Sequence, residues 1–195
     1  MPKKQLELFT PPINSTNKME KISDWMLKTI REENNHGFLS GWLEEERFKW
    51  TKLVSNTLTR IMQETSFLVV CDSQREWFKS YILSHINHHK NRPFVPILDF
   101  TLLPKDSQET QNIKDMLDIA YKDYAFFYIG KRNNALAELA IGHENSFLWI
   151  LDESLQDAFC LNSTHPMLDF RLLQLYKIFD LALSACIFGK IELES

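Results

Sequence analysis

Between Ser66 and Phe100 the chain changes its hydrophobic period twice. A continuous apolar run, Phe67-Leu68-Val69-Val70, stops at Cys71-Asp72-Ser73. An amphipathic stretch follows from Gln74 to Ile86, and beyond Arg92-Pro93 a second apolar run covers Phe94 to Phe100. This order predicts a β-α-β unit, with both strands in one parallel sheet. The first turn of such a unit is where a phosphate or nucleotide usually sits, because backbone N–H groups at a helix N-terminus face the ligand. Here the turn contains no glycine, so the backbone is held farther from any phosphate.

The alternation continues on both sides of this unit. Asp24 is expected to cap a short helix reaching about Glu33, and Trp42, Leu43, Phe48, Leu53, Leu58 and Ile61 recur near helical spacing over Gly41 to Gln63. Further on, the pattern predicts a helix over Gln108 to Tyr121, a strand over Ala125 to Ile129 ending at Gly130, and a weak helix around Ala135 to Ala140. A strand over Phe147 to Leu151 comes next, and a last helix from Leu168 to Phe188 is closed by Gly189. Strands without polar alternation are buried on both faces, so the expected fold is a three-layer α/β/α sandwich around a mainly parallel sheet of four to five strands. Residues 1 to 18 hold Pro2, Pro11, Pro12 and the polar run Asn14-Ser15-Thr16-Asn17 without sustained periodicity. They read as a disordered arm, leaving residues 19 to 195 as one α/β domain.

Composition narrows the function. At 195 residues and 44% hydrophobic content the chain can bury one proper core. A formal charge of −4 argues against a general nucleic-acid binder, which would carry a basic excess. Cys71, Cys160 and Cys186 are odd in number and set among apolar residues, the pattern of reduced core thiols in a cytosolic protein. No apolar run is long enough to span a bilayer and no secretion signal opens the chain, so a cytoplasmic protein with no membrane partner is expected.

Candidate chemistry is sparse. His85, His88 and His89 lie within helical reach of one another, a spacing that can hold zinc, but no acidic or Cys ligand is near in sequence. Favourable cations at a helix C-terminus explain them without a metal. Asp72-Ser73, at a strand end, is the position for a nucleophile or ligand, yet the glycine-flanked elbow of a serine nucleophile is missing and helix capping is the preferred role. Glu44-Glu45-Glu46 followed by Arg47 reads as a solvated helix face. No catalytic residue, cofactor or metal follows from these patterns. The last helix is apolar around most of its circumference, which suggests a second subunit against it or a place deep in the core. Trp42, Trp50, Trp77 and Phe78 form an aromatic set expected in part at protein interfaces.

Taken together, Ser40-Gly41-Trp42-Leu43-Glu44, the strand and turn Phe67 to Ser73, Trp77-Phe78, Tyr81-Ile82-Leu83-Ser84, Arg92-Pro93, Ser146-Phe147-Leu148-Trp149 and Leu172-Leu173-Gln174-Leu175 resemble the HobA family from about Met19 to the C-terminus. That resemblance implies an SIS-like (flavodoxin-like) fold and a homotetramer. It also implies binding to the N-terminal domain of the replication initiator DnaA and promotion of DnaA assembly at the chromosomal origin, as the related adaptor DiaA does. Sugar-phosphate-binding SIS domains have a glycine- and serine-rich turn where this chain has Cys71-Asp72-Ser73-Gln74. Asp72 and Ser73 therefore mark a vestigial ligand turn, and a non-enzymatic adaptor is expected. A sugar-phosphate-binding protein or isomerase of the SIS type is the alternative.

Two surfaces are expected to carry partners. Asn91 and Arg92, with Phe188, Ile191 and Leu193 at the end of the last helix, are the DnaA-binding candidates. Arginine is favoured at interfaces, and apolar residues past Gly189 need something to cover them. The competing reading is that they close the oligomer. In the arm, Gln5-Leu6-Glu7-Leu8-Phe9 closely resembles the bacterial sliding-clamp-binding pentapeptide, in which Gln5 would supply hydrogen bonds and Leu6, Leu8 and Phe9 would fill an apolar pocket.

Overall fold

The computed structural model describes residues 19–37, 41–100 and 110–193. The chain enters through a two-residue strand, β1 (Glu20–Lys21), followed by α1 (Ile22–Asn35), α2 (Trp42–Glu45) and α3 (Arg47–Met62). β2 (Ser66–Cys71) leads through a 3₁₀ turn (Ser73–Arg75) into α4 (Glu76–His85). After β3 (Ile97–Asp99) come α5 (Thr110–Ala120), β4 (Tyr124–Lys131), α6 (Ala135–Ile141), β5 (Phe147–Leu151) and β6 (Ala158–Leu161). α7 (Leu168–Ile187) and β7 (Ile191–Glu192) end the described chain.

Five strands form one parallel sheet in the order β3-β2-β4-β5-β6. Counted from β2, this is the 2-1-3-4-5 order of flavodoxin-like sheets, with the winding reversing between β2 and β4. Side chains alternate across it with period two. Phe67, Val69, Phe127, Ile129, Phe147 and Trp149 pack with α1, α3, α4 and α7 on one face. Leu68, Val70, Phe126, Tyr128, Leu148 and Ile150 pack with α5 and α6 on the other. Because helices cover both faces, β2, β4 and β5 are buried along almost their whole length, and their sequences are correspondingly apolar. The fold class expected from the sequence, a three-layer α/β/α sandwich with a parallel sheet, is the one observed.

Several boundaries differ from expectation for local reasons. The helix expected over Gly41 to Gln63 is two helices interrupted at Glu46, and the Arg47 guanidinium donates to the Glu44 carbonyl at the break (2.8 Å). The strand expected over Phe94 to Phe100 shrinks to three residues, since Pro93 and Pro96 have no N–H to contribute. Lys21, not Asp24, stands at the N-cap of α1, and Asp24 falls within its first turn. Gln108, placed at the start of α5 by the pattern, lies outside the described residues. Strands β1, β6 and β7 are too short to leave a periodic signal. Gly189 closes α7 as expected, at φ +63°, where its N–H bonds the Cys186 carbonyl while the Lys190 N–H bonds that of Ala185.

The apolar circumference of α7 is met largely within the chain. Leu172, Leu175, Ile178, Phe179, Ala182 and Leu183 are all fully buried. Phe179 packs against Phe147 (centroids 4.9 Å apart) and Phe127 (6.1 Å). Phe179→Ala should therefore lower stability by about 3–5 kcal/mol, the cost of an aromatic core truncation, measured by urea denaturation with tryptophan fluorescence.

Candidate functional site

In flavodoxin-like sheets the ligand crevice lies outside the carboxyl ends of the strands, where the winding reverses. Here that point is between Cys71-Asp72 at the end of β2 and Gly130-Lys131 at the end of β4. The buried Asp72 side chain fills it. Its carboxylate accepts from the Gln74 N–H (3.0 Å), from the Lys131 N–H (2.9 Å) and from the buried Arg75 guanidinium, which is 3.3 Å from both oxygens. Of the two residues expected to cap here, Asp72 does so, while Ser73 is exposed at the start of the 3₁₀ turn.

Other charges along this crest are neutralised in the same way. Lys79 pairs with Glu76 (3.1 Å) and Asp99 (3.5 Å), Lys131 with Asp152 (2.9 Å), and Arg132 with Glu138 (2.7 Å) and Glu153 (3.2 Å). Hydrogen bonds from Lys131 and Ser163 hold the Asp152 carboxyl well below the usual carboxylate range. Burial, aided by Glu76, pushes the Cys71 thiol up to about 12, so at neutral pH it is protonated and a poor nucleophile. Among the described residues, the crest keeps the frame of a ligand site with Arg75, Lys79, Lys131 and Arg132 already engaged.

A second feature lies on the opposite side of α4. Between α4 and α7 an open groove of about 420 Å³ is lined by Tyr81, His85, His88, Leu173, Lys177 and Asp180. The His85 ring stacks on Tyr81 (4.1 Å), and Tyr81 meets Tyr176 edge-on (5.5 Å). His89 bonds Asp180 (2.8 Å). Among the described residues no group of three or more His, Cys, Asp or Glu side chains is placed to hold a metal ion.

The structure places several of the expected partner-binding residues inside the fold. Arg92 is buried: its guanidinium donates to the Asp180 carboxylate (2.7 Å), to the Ser184 hydroxyl (2.8 Å) and to the Ile86 carbonyl. It ties the loop after α4 to α7, so it is unavailable as an exposed contact. Ile191 is only 4% exposed because β7 pairs with β1, and Leu193 packs on the core. The apolar residues past Gly189 are covered by this chain's own N-terminal strand and its neighbours. Phe188, half exposed, and Asn91 remain on the surface.

The aromatic set divides similarly. Trp50 and Phe78 are fully buried, Trp42 is part-buried with its Nε1 donating to Gln174 (2.7 Å), and only Trp77 of the four is exposed. Cys160 is also exposed, on the edge strand β6, so it is not the core thiol expected. Gln5, Leu6, Leu8 and Phe9 lie outside the described residues. The groove itself escaped the sequence reading. Lys177 and Asp180, one turn apart in the mostly apolar second half of α7, are the signal that marks its wall.

Comparison with known proteins decides the relationship. The family model described as "HobA: DNA replication regulator" matches residues 19–193. The chain belongs to the HobA family. It is 32% identical over 180 residues to the DNA replication regulator protein HobA of Helicobacter pylori, spanning 90% of this chain and all of that protein. Among solved structures, HobA in a HobA–DnaA (domain I–II) complex from Helicobacter pylori is similar, with a TM-score of 0.73 and 33% identity over 90% of this chain and 100% of the other. A crystal structure of Helicobacter pylori HobA gives 0.71 and 32%, covering 87% and 98%.

Arg92→Met should remove the donors of a buried pair and leave Asp180 and the Ile86 carbonyl short of partners. Its expected cost is about 3–5 kcal/mol of stability, read from chemical denaturation at neutral pH.

Proposed function

We propose that this chain is a non-enzymatic adaptor that binds the N-terminal domain of the initiator DnaA and promotes DnaA assembly at the chromosomal origin. The observation carrying this reading is the similarity, over 90% of the chain, to a HobA-family structure in complex with DnaA domains I–II. The crest supports it from the other side: the place for a small ligand is occupied by Asp72 and Arg75, which argues for a scaffold over an SIS-type sugar-phosphate enzyme.

The adaptor works as a cytoplasmic homotetramer whose binding surface is supplied by more than one protomer, so that several DnaA copies are held at high effective concentration without bond-making chemistry. No helix among the described residues is long and apolar enough to cross a membrane. The contact surface includes Phe188 and Asn91, the exposed members of the set chosen from sequence, while Arg92, Ile191 and Leu193 support it from inside. Titration of the protein into DnaA domains I–II should show saturable binding. Phe188→Ala should weaken it at least several-fold with the oligomer intact by light scattering; unchanged affinity removes Phe188 from the surface, and absence of any binding overturns the adaptor reading.

The arm adds a second partner, the DNA polymerase sliding clamp. The family match begins at residue 19, so Gln5-Leu6-Glu7-Leu8-Phe9 lies outside the part shared with HobA and is free to serve another role. A peptide of residues 1 to 18 should bind clamp in a titration and lose that binding when Leu8 and Phe9 are replaced by Ala. A peptide that never binds rejects this partner.

A further inference from the structure

We infer that the Asp72 carboxylate is a built-in occupant of an anion site, standing where a free oxyanion would otherwise bind. Four features of the switch point carry this inference. The carboxylate draws two backbone N–H groups from different elements, Gln74 in the 3₁₀ turn and Lys131 at the end of β4. It also draws the guanidinium of Arg75, a side chain almost wholly buried, whose Nη1 reaches both carboxylate oxygens. Converging amides plus a guanidinium form the donor set that proteins use for phosphate, sulfate and carboxylate. The position, between the carboxyl ends of the two strands where the winding reverses, is where flavodoxin-like sheets place such a ligand.

The fourth feature is Gly130. A Cβ there would lie 2.8 Å from Asp72 Oδ2, closer than real contacts allow, and the residue sits at φ +154°. A glycine at a strand end lets a group approach the backbone closely. In this chain the group that approaches is the protein's own carboxylate. The absence of glycine in the first turn and its presence at position 130 are therefore complementary: Asp72 reaches across from the first strand into space that Gly130 keeps open on the second.

Because the anion is part of the chain, the switch point needs no small molecule to satisfy its donors, and inorganic phosphate has no access to them. Removing the carboxylate while leaving the donors turns the crevice into a site for a small tetrahedral oxyanion. Binding to the folded state alone raises thermal stability, so the comparison is a melt in phosphate against chloride of equal ionic strength. Asp72→Ala should be destabilised in chloride and gain several degrees more in phosphate than the unmodified protein, whose rise reflects only general stabilisation by an excluded anion. Asp72→Asn, which keeps the side chain in place, should be destabilised without that extra gain. Arg75→Met on the Ala background should abolish the gain.

An equal response in the unmodified protein and the Ala variant overturns the inference, as does a gain that survives Arg75→Met. An Ala variant that stays unfolded in both buffers overturns it too, since phosphate then cannot replace the carboxylate. None of these outcomes depends on DnaA binding, which is read separately through Phe188.

Discussion

Aromatic packing between the central strands and the helices above them holds the molecule in register. Trp50 of α3 meets Trp149 of β5 (5.4 Å), Phe147 lies against Phe127 of β4 (4.7 Å), and Phe179 of α7 closes the set from above (4.9 Å to Phe147). Large flat side chains have few rotamers and large buried areas, so one such cluster fixes the height of two helices relative to two strands. The parallel pairing of β4 with β2 then brings Gly130 beside Asp72, and the position of α7 places Asp180 within reach of Arg92.

Two kinds of surface result from that one scaffold. At the carboxyl ends of the strands, the described cations Arg75, Lys79, Lys131 and Arg132 each meet a carboxylate from the same or a neighbouring loop. On the helical face, α4 and α7 leave an open aromatic and histidine-lined groove. The family is one of replication regulators, and its solved members include a complex with DnaA domains I–II.

The fold was legible because its signal is periodic. Unbroken apolar runs at Phe67 to Val70, Ala125 to Ile129 and Phe147 to Leu151, separated by helical spacing, admit little besides a parallel sheet between helices. Asp72 was legible as a capping residue because it stands immediately before a helical turn. Arg92 was misplaced for the opposite reason: its principal partner, Asp180, lies 88 residues away on α7, and nothing local distinguishes an arginine that binds a partner from one that ties two elements together. Ile191 and Leu193 look uncovered in sequence because their cover comes in part from β1, at the other end of the domain.

The sequence by itself determined the class of fold, the parallel sheet and the missing glycine of the first turn, since these rest on spacing between near neighbours, while its resemblance to HobA rests on short motifs spread from Ser40 to Leu175. Only the tertiary structure decided what fills that turn and which residues stay exposed. Burial and ion pairing depend on groups brought together from distant positions: Asp72 reaches Lys131 and the edge of Gly130, and Arg92 reaches Asp180. A local pattern records that a residue is polar; the assembled fold determines whether its partner belongs to the same chain.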